Sequence, residues 1–387
     1  MSEELSIKIL NDLISFDTTS YKSNLNLIKY IEKYLGHFNI KSKLIYDVTG
    51  KKANLYATIG SNKDEGIMLS GHTDVVPALE NNWTSDPFHL TEKNKKFYGR
   101  GTADMKSFIA LILSRIEKII NSNLTKSIHL AFSYDEEVGC IGVHKLIDLL
   151  QNSKFKPTFC IVGEPTNMEV VIGHKGKCSH EVEVNGLPCH SGQAPLGVNA
   201  INYASKLISF ITDMAKEKSN IGPFDYDYEI PYSTLHTGVI SGGSVINIVP
   251  ELCNFEFEVR HIKEDKPNDL INEIKAYANE YLIPEMHKIS KKTGISFNEK
   301  ISYPGMSIDK NSELVKFTKE LLNDEKHKKV IFGTEGGLFQ EKLNIPTVVC
   351  GPGNIDQAHK ADEYISFEQL AKGGAFLDKL IFSINQK

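Results

Sequence analysis

Apolar positions follow two different patterns along the 387-residue chain, and the change between them divides it. In the first part, short continuous apolar runs at 67–71, 128–134 and 159–163 alternate with stretches of helical spacing. Runs without polar alternation predict strands buried on both faces, as in a parallel sheet covered by helices. Covering helices are predicted over 3–15, over 23–38 (Leu25, Ile28, Ile31 and Leu35 on one face) and over 104–120. The last has Phe108, Leu111, Ile112, Ile116 and Ile119 on its apolar face, with Asp104 placed as N-cap. Strand and helix in alternation predict an α/β fold with a mostly parallel central sheet.

Near residue 179 the period changes to two. Phe255, Phe257 and Val259 fall on one face of their segment, and Glu256, Glu258 and Arg260 on the other. That alternation predicts an antiparallel sheet packed on one side and wet on the other. Helical stretches at 198–218 and 267–289, with further strands at 234–241 and 295–303, give the order strand, helix, two strands, helix, strand. Continuously apolar strands return at 329–332 and 347–350. The predicted organisation is a catalytic domain of residues 1–178 and 304–387 with an α+β domain, 179–303, inserted into it. A chain this long exceeds the roughly 250–300 residues at which single cores stop growing.

The residues just past the apolar runs carry the chemistry. His72 follows the first, Glu136 and Glu137 the second and Glu164 the third, while 346–353 leads to His359. Ligands gather outside the carboxyl ends of strands in such sheets. His72 and Asp74 are two apart, so an extended backbone puts both on one face. A metal-bound imidazole needs an acceptor on its other nitrogen, a task that suits Asp74. Asp104 reads as a plain helix cap or as a carboxylate bridging two cations. Three adjacent acids, Asp135 to Glu137, repel one another without a counter-charge. Neighbours point in different directions, so Glu137 is placed on a metal and Glu136 on proton transfer. Glu164 is a ligand or a salt-bridge partner, and His359 alone would be an ordinary surface histidine. Together they have the composition of a two-metal hydrolytic site. Two histidines with carboxylates suit zinc and accept cobalt or manganese.

Charge and composition narrow the alternatives. The net charge is −5 without a basic block, so neither nucleic acid nor a membrane is an expected partner. The start, MSEELSIKIL, lacks a basic leader region, and a cytoplasmic location is expected. Cys140, Cys160, Cys178, Cys189, Cys253 and Cys350 form no CxxC pair and are expected as free thiols.

The motifs SGHTDVVP (70–77), WTSDPF (83–88), YGRGTADMK (98–106), SYDEEVGC (133–140), GEPT (163–166), HKGK (174–177), NIVPE (247–251), GTEGGLFQ (333–340) and PTVVCGPG with AHK (346–360) occur in this order. In them the chain resembles the co-catalytic metal-dependent aminoacylase and exopeptidase superfamily over essentially its whole length. It is most similar there to acetylornithine deacetylases, with succinyl-diaminopimelate desuccinylases as cousins. The resemblance implies two zinc ions held by His72, Asp104, Glu137, Glu164 and His359, with Asp104 bridging. It also implies that Asp74 orients His72 and that Glu136 is the general base. The inserted domain falls where that family carries a lid used for dimerisation. There His190 would reach a partner subunit's site and steady an oxyanion, and Asn247 and Arg260 would hold a substrate carboxylate. Arg260 suits this through its two-pronged donor geometry, although a cross-strand pair with Glu256 or Glu258 would explain it equally. The implied reaction removes acetate from N2-acetyl-L-ornithine in arginine biosynthesis, with Glu335 a candidate for the substrate's free amine. Desuccinylase, aminoacylase and dipeptidase chemistry need the same core, whereas an inactive binding relative has no need of Glu136. Ser107 and Gly192 depart from the family pattern, which commonly has Gly and Ser there.

Overall fold

The computed structural model describes residues 2–60, 66–78, 82–153 and 156–385. The chain forms two compact units, one of Met1–Gly173, Met306–Lys329 and Thr334–Lys387, the other of His174–Gly305 with Val330–Gly333.

In the first unit the strands Ser127–Ser133, Gly66–His72, Phe159–Pro165 and Thr347–Gly351 lie side by side in that order, all parallel. They are buried almost throughout, which explains their lack of polar alternation. Antiparallel strands flank them: Ala53–Ile59 and Ser42–Tyr46 at one side, Val170–His174 at the other. Helices Leu25–His37 and Lys106–Leu113 pack against the sheet, and Ser2–Ile14 and Phe367–Ser383 pack on Lys106–Leu113. Leu25–His37 buries Leu27, Ile28, Ile31 and Leu35 into a core that also holds Leu13, Phe108, Leu130, Ile161 and Leu377.

The helix expected over 104–120 is two helices, Lys106–Leu113 and Ile116–Ile120. The break has a local cause. The Leu111 carbonyl accepts from Ser114 Oγ at 2.8 Å and from Arg115 Nη1 at 3.1 Å, while the Arg115 amide turns to Ile112 O. Side-chain donors thus take an acceptor that the next helical turn would use. Nor is Asp104 the cap: the capping position is Met105, without a side-chain bond. The strand expected at 329–332 lies at His327–Val330. A small sheet of Thr91–Lys93, Lys96–Tyr98 and Tyr364–Ser366, absent from the sequence reading, joins distant segments.

The second unit has a four-stranded antiparallel sheet in the order Thr234–Gly242, Leu252–His261, Gly176–Asn185, Gly294–Tyr303. Helix Ala200–Ile221 and the helical run from Pro267 to His287 pack on one face through Leu207, Ile211, Ile271 and Ile274. Val182, Val184, Phe255, Phe257 and Val259 meet them from the sheet, as period-two alternation requires. The molecule is therefore a mixed α/β protein with a mostly parallel central sheet and a separate antiparallel one. Among the described residues no helix is long and apolar enough to cross a membrane.

Candidate metal centre

Parallel pairing sends four strands out of the sheet at the same edge. His72 ends Gly66–His72, Glu164 sits near the end of Phe159–Pro165, and Glu136 and Glu137 follow Ser127–Ser133. His359 follows Thr347–Gly351 on a loop. Asp104, ahead of the Lys106–Leu113 helix, comes between the two histidines. Its Oδ1 lies 2.8 Å from His72 Nε2, and its Oδ2 lies 3.5 Å from His359 Nε2. Each imidazole has its own glutamate as well: Glu164 Oε1 at 3.5 Å from His72, Glu137 Oε2 at 2.9 Å from His359. Ligand atoms of His72, Asp104 and Glu137 lie within 4.8 Å of one another, and so do those of His72, Glu136 and Glu164.

Asp74 does more than its spacing suggested. The nearest acceptor for His72 Nδ1 is the Asp74 backbone carbonyl, at 2.9 Å, with the side-chain oxygen at 3.6 Å. The carboxylate itself accepts the Glu136 and Glu137 amides at 3.1 and 3.3 Å and the Ser20 hydroxyl at 2.8 Å. Cys140 Sγ lies 3.5 Å from Glu136 Oε1. Ser20 and Cys140 were not found from sequence. Ser20 is 54 residues from Asp74 and follows no apolar run; Cys140, without a CxxC partner, reads in the sequence as a free thiol.

The charges do not balance. Burial, together with the nearby Glu137 and Glu335, pushes the Glu136 carboxyl well above the usual carboxylate range. Burial and Asp104 do the same to Glu164. Glu137 is pushed up to about 7 by burial and the adjacent Asp104 charge. Burial opposes ionisation of Asp104, yet hydrogen bonds to His359 and His72 hold it well below its ordinary value. Bonds to Asp104 and Glu137 raise His359 to about 10. Even with both imidazoles protonated, Asp104, Glu136, Glu137 and Glu164 outnumber them. Buried charge needs a partner, so this donor set fits divalent cations.

Glu335 is 2% exposed beneath the strand ends, with Oε2 3.4 Å from Ser70 Oγ and no hydrogen-bond partner for Oε1 among the described residues. Burial pushes it up to about 7. The remaining predicted residues belong to the second unit. His190 is exposed, its Nδ1 accepting the Gly192 amide at 3.1 Å. Asn247, also exposed, is its neighbour, since the Asn247 carbonyl accepts the Ser191 amide at 2.9 Å. Arg260 is already partnered: Nε donates to Glu258 at 3.1 Å and Nη1 to the Tyr303 hydroxyl at 3.1 Å.

The acetylornithine deacetylase of Pasteurella multocida is 32% identical over 372 residues, spanning 95% of this chain and 93% of its own. Among solved structures, a tripeptidase from Staphylococcus aureus superposes with a TM-score of 0.78 at 20% identity, covering 99% of this chain and 98% of its own. A Bacillus subtilis dinuclear metal-binding peptidase of the M20 family does so with a TM-score of 0.71 at 15% identity, covering 99% and 98%. The sequence pattern described as Peptidase family M20/M25/M40 matches residues 68–383, a span running from before His72 to beyond His359. The acids and imidazoles at the strand ends thus all fall inside the match, and this chain belongs to peptidase family M20/M25/M40, whose chemistry is hydrolysis of peptide and amide bonds.

Proposed function

We propose that the protein hydrolyses the N-acyl amide of an N-acylated α-amino acid, with N2-acetyl-L-ornithine as the preferred substrate, yielding L-ornithine and acetate for arginine biosynthesis. The observation that carries the reaction class is Asp104, one carboxylate facing two histidines, each with a second glutamate. The substrate assignment is supported by the near-full-length similarity to acetylornithine deacetylases.

His72, Asp104 and Glu164 would hold one divalent cation, and His359, Asp104 and Glu137 the other. Zinc suits these donors, and cobalt or manganese can substitute. Such cations supply Lewis acidity, acidifying water and polarising a carbonyl. Glu136 accepts the proton of the attacking water and delivers it to the leaving nitrogen, so the acyl group leaves as carboxylate and the amino acid as free amine. Asp74 fixes the Glu136 and Glu137 backbone so that both carboxylates converge. Glu335 is assigned to the substrate's distal amine, a role supported by its Oε1, which has no hydrogen-bond partner among the described residues.

Residues 179–303 are assigned as an inserted lid through which two copies pair. Thr234–Gly242 is an edge strand, and Val239, Ile240, Val245 and Ile246 near it are each more than half exposed. An unpaired apolar edge is a template for another chain. By family resemblance, His190 steadies the oxyanion in the partner copy's site, and Asn247 and Arg260 hold the substrate carboxylate.

Loss of amide absorbance in the far ultraviolet tests the reading across acetyl-ornithine, succinyl-diaminopimelate, acetyl-methionine and simple dipeptides. Acetyl-ornithine should give the highest kcat/KM and chelated protein no turnover. Faster cleavage of another member reassigns the substrate, and full activity after chelation defeats the metal reading.

A further inference from the structure

Glu363 is 1% exposed, yet its carboxylate accepts four hydrogen bonds from a single loop. Oε2 takes Arg100 Nη1 at 2.8 Å and the Gly101 amide at 2.9 Å. Oε1 takes the amides of Ala103 at 2.8 Å and Asp104 at 3.1 Å. The Glu363 carbonyl accepts the Gly99 amide at 3.0 Å, extending the pairing of Lys96–Tyr98 with Tyr364–Ser366. The loop before the Lys106–Leu113 helix is therefore folded around one acid. Buried amides need acceptors, and a charged acceptor binds them more tightly than a neutral one. Glu363 also stands four residues beyond His359 in the chain. One side chain thus joins the segment bearing Asp104 to the segment bearing His359.

We propose that Glu363 is a positioning residue that locks these two segments together, so that Asp104 and His359 are presented to a cation as one unit. The inference rests on the reading that Asp104 and His359 hold divalent cations. Glutamine at this position keeps the size and one acceptor, but its amide nitrogen would confront donors on one side.

The test is titration of metal-free protein with zinc in competition with a chelator. Phe97→Leu serves as control. Phe97 belongs to the same small sheet, its ring stacked on Phe367 with centroids 4.5 Å apart, so its loss weakens the sheet without removing a bond to the loop. Glu363→Gln should bind zinc at least about tenfold more weakly, the lower end for loss of an outer-shell partner, while Phe97→Leu keeps wild-type affinity. Wild-type affinity in folded Glu363→Gln, or an equal loss in both variants, overturns the proposal. If Glu363→Gln does not fold, Glu363→Asp, which keeps the charge but shortens the reach, is judged by the same two outcomes. Failure of the wild-type protein to take up zinc sinks the underlying metal reading, whereas normal uptake by both wild type and variant sinks this inference alone.

Discussion

Glu136 and Glu137 are adjacent in sequence but have different surroundings. Glu137 faces His359, while Glu136 falls in the group with His72 and Glu164. If the first is a ligand and the second a base, Glu136→Gln should keep full metal content by elemental analysis and lose at least about a hundredfold in turnover. Near-normal turnover would remove Glu136 from the reaction. His129 gives a prediction away from the site. Burial pushes its imidazole down to about 4, and its Nδ1 sits 2.8 Å from the Tyr56 hydroxyl and 3.0 Å from Thr58 Oγ1. The unfolded imidazole titrates near 6.5, so between about pH 6.5 and 4 the unfolded chain binds a proton that the folded one refuses. Its stabilisation is complete above that window and falls as the pH drops through it, by up to about 3 kcal/mol at about 1.4 kcal/mol per unit. Urea unfolding of His129→Gln should therefore show a shallower loss of stability across the window; parallel curves for variant and wild type would exonerate His129.

Strands were easier to read than turns. The four central strands were legible because burial on both faces leaves a continuous apolar run, and the ligand types at their ends stood out against it. Asp104 misled as an N-cap because an acid before an apolar helix is the usual sign of one. Its alternative partners, His72 and His359, lie far away in sequence. The three-stranded sheet escaped because strands of three residues have no measurable period, and the break at Ser114–Arg115 escaped because it depends on where the Arg115 side chain turns. The tightness of the element packing is itself testable. A β-carbon at Gly163 would lie 2.0 Å from the Phe108 ring, which packs behind the strand carrying Glu164. Gly163→Ala should cost about 1–3 kcal/mol, read as a lower melting temperature, and should misplace Glu164 enough to weaken metal uptake. Unchanged melting would mean that Phe108 has room to yield.

For the molecule as a whole, the two units differ in what could be inferred. The antiparallel unit announced its sheet through alternation, but Arg260 could not be read from sequence beyond an even choice. The expected cross-strand pair with Glu258 is instead a pair along one strand, since both residues lie in Leu252–His261, and only the Tyr303 hydroxyl comes from another strand; a role toward substrate would use the remaining donors of Arg260. If His190 serves a neighbouring copy, His190→Ala and Glu136→Gln proteins should each be nearly inactive, and mixing them should restore part of the activity. Mixed samples that stay inactive despite subunit exchange would confine each site to one chain.

The parallel register has a bearing on how the protein is made. The strand Thr347–Gly351, which pairs with Phe159–Pro165, is synthesised only after the whole antiparallel unit from His174 to Gly305. Until the ribosome has delivered it, the nascent sheet has an open border, and the first imidazole waits among acids without the second. Activity during translation should therefore appear abruptly, once the last parallel strand and the loop beyond it have emerged.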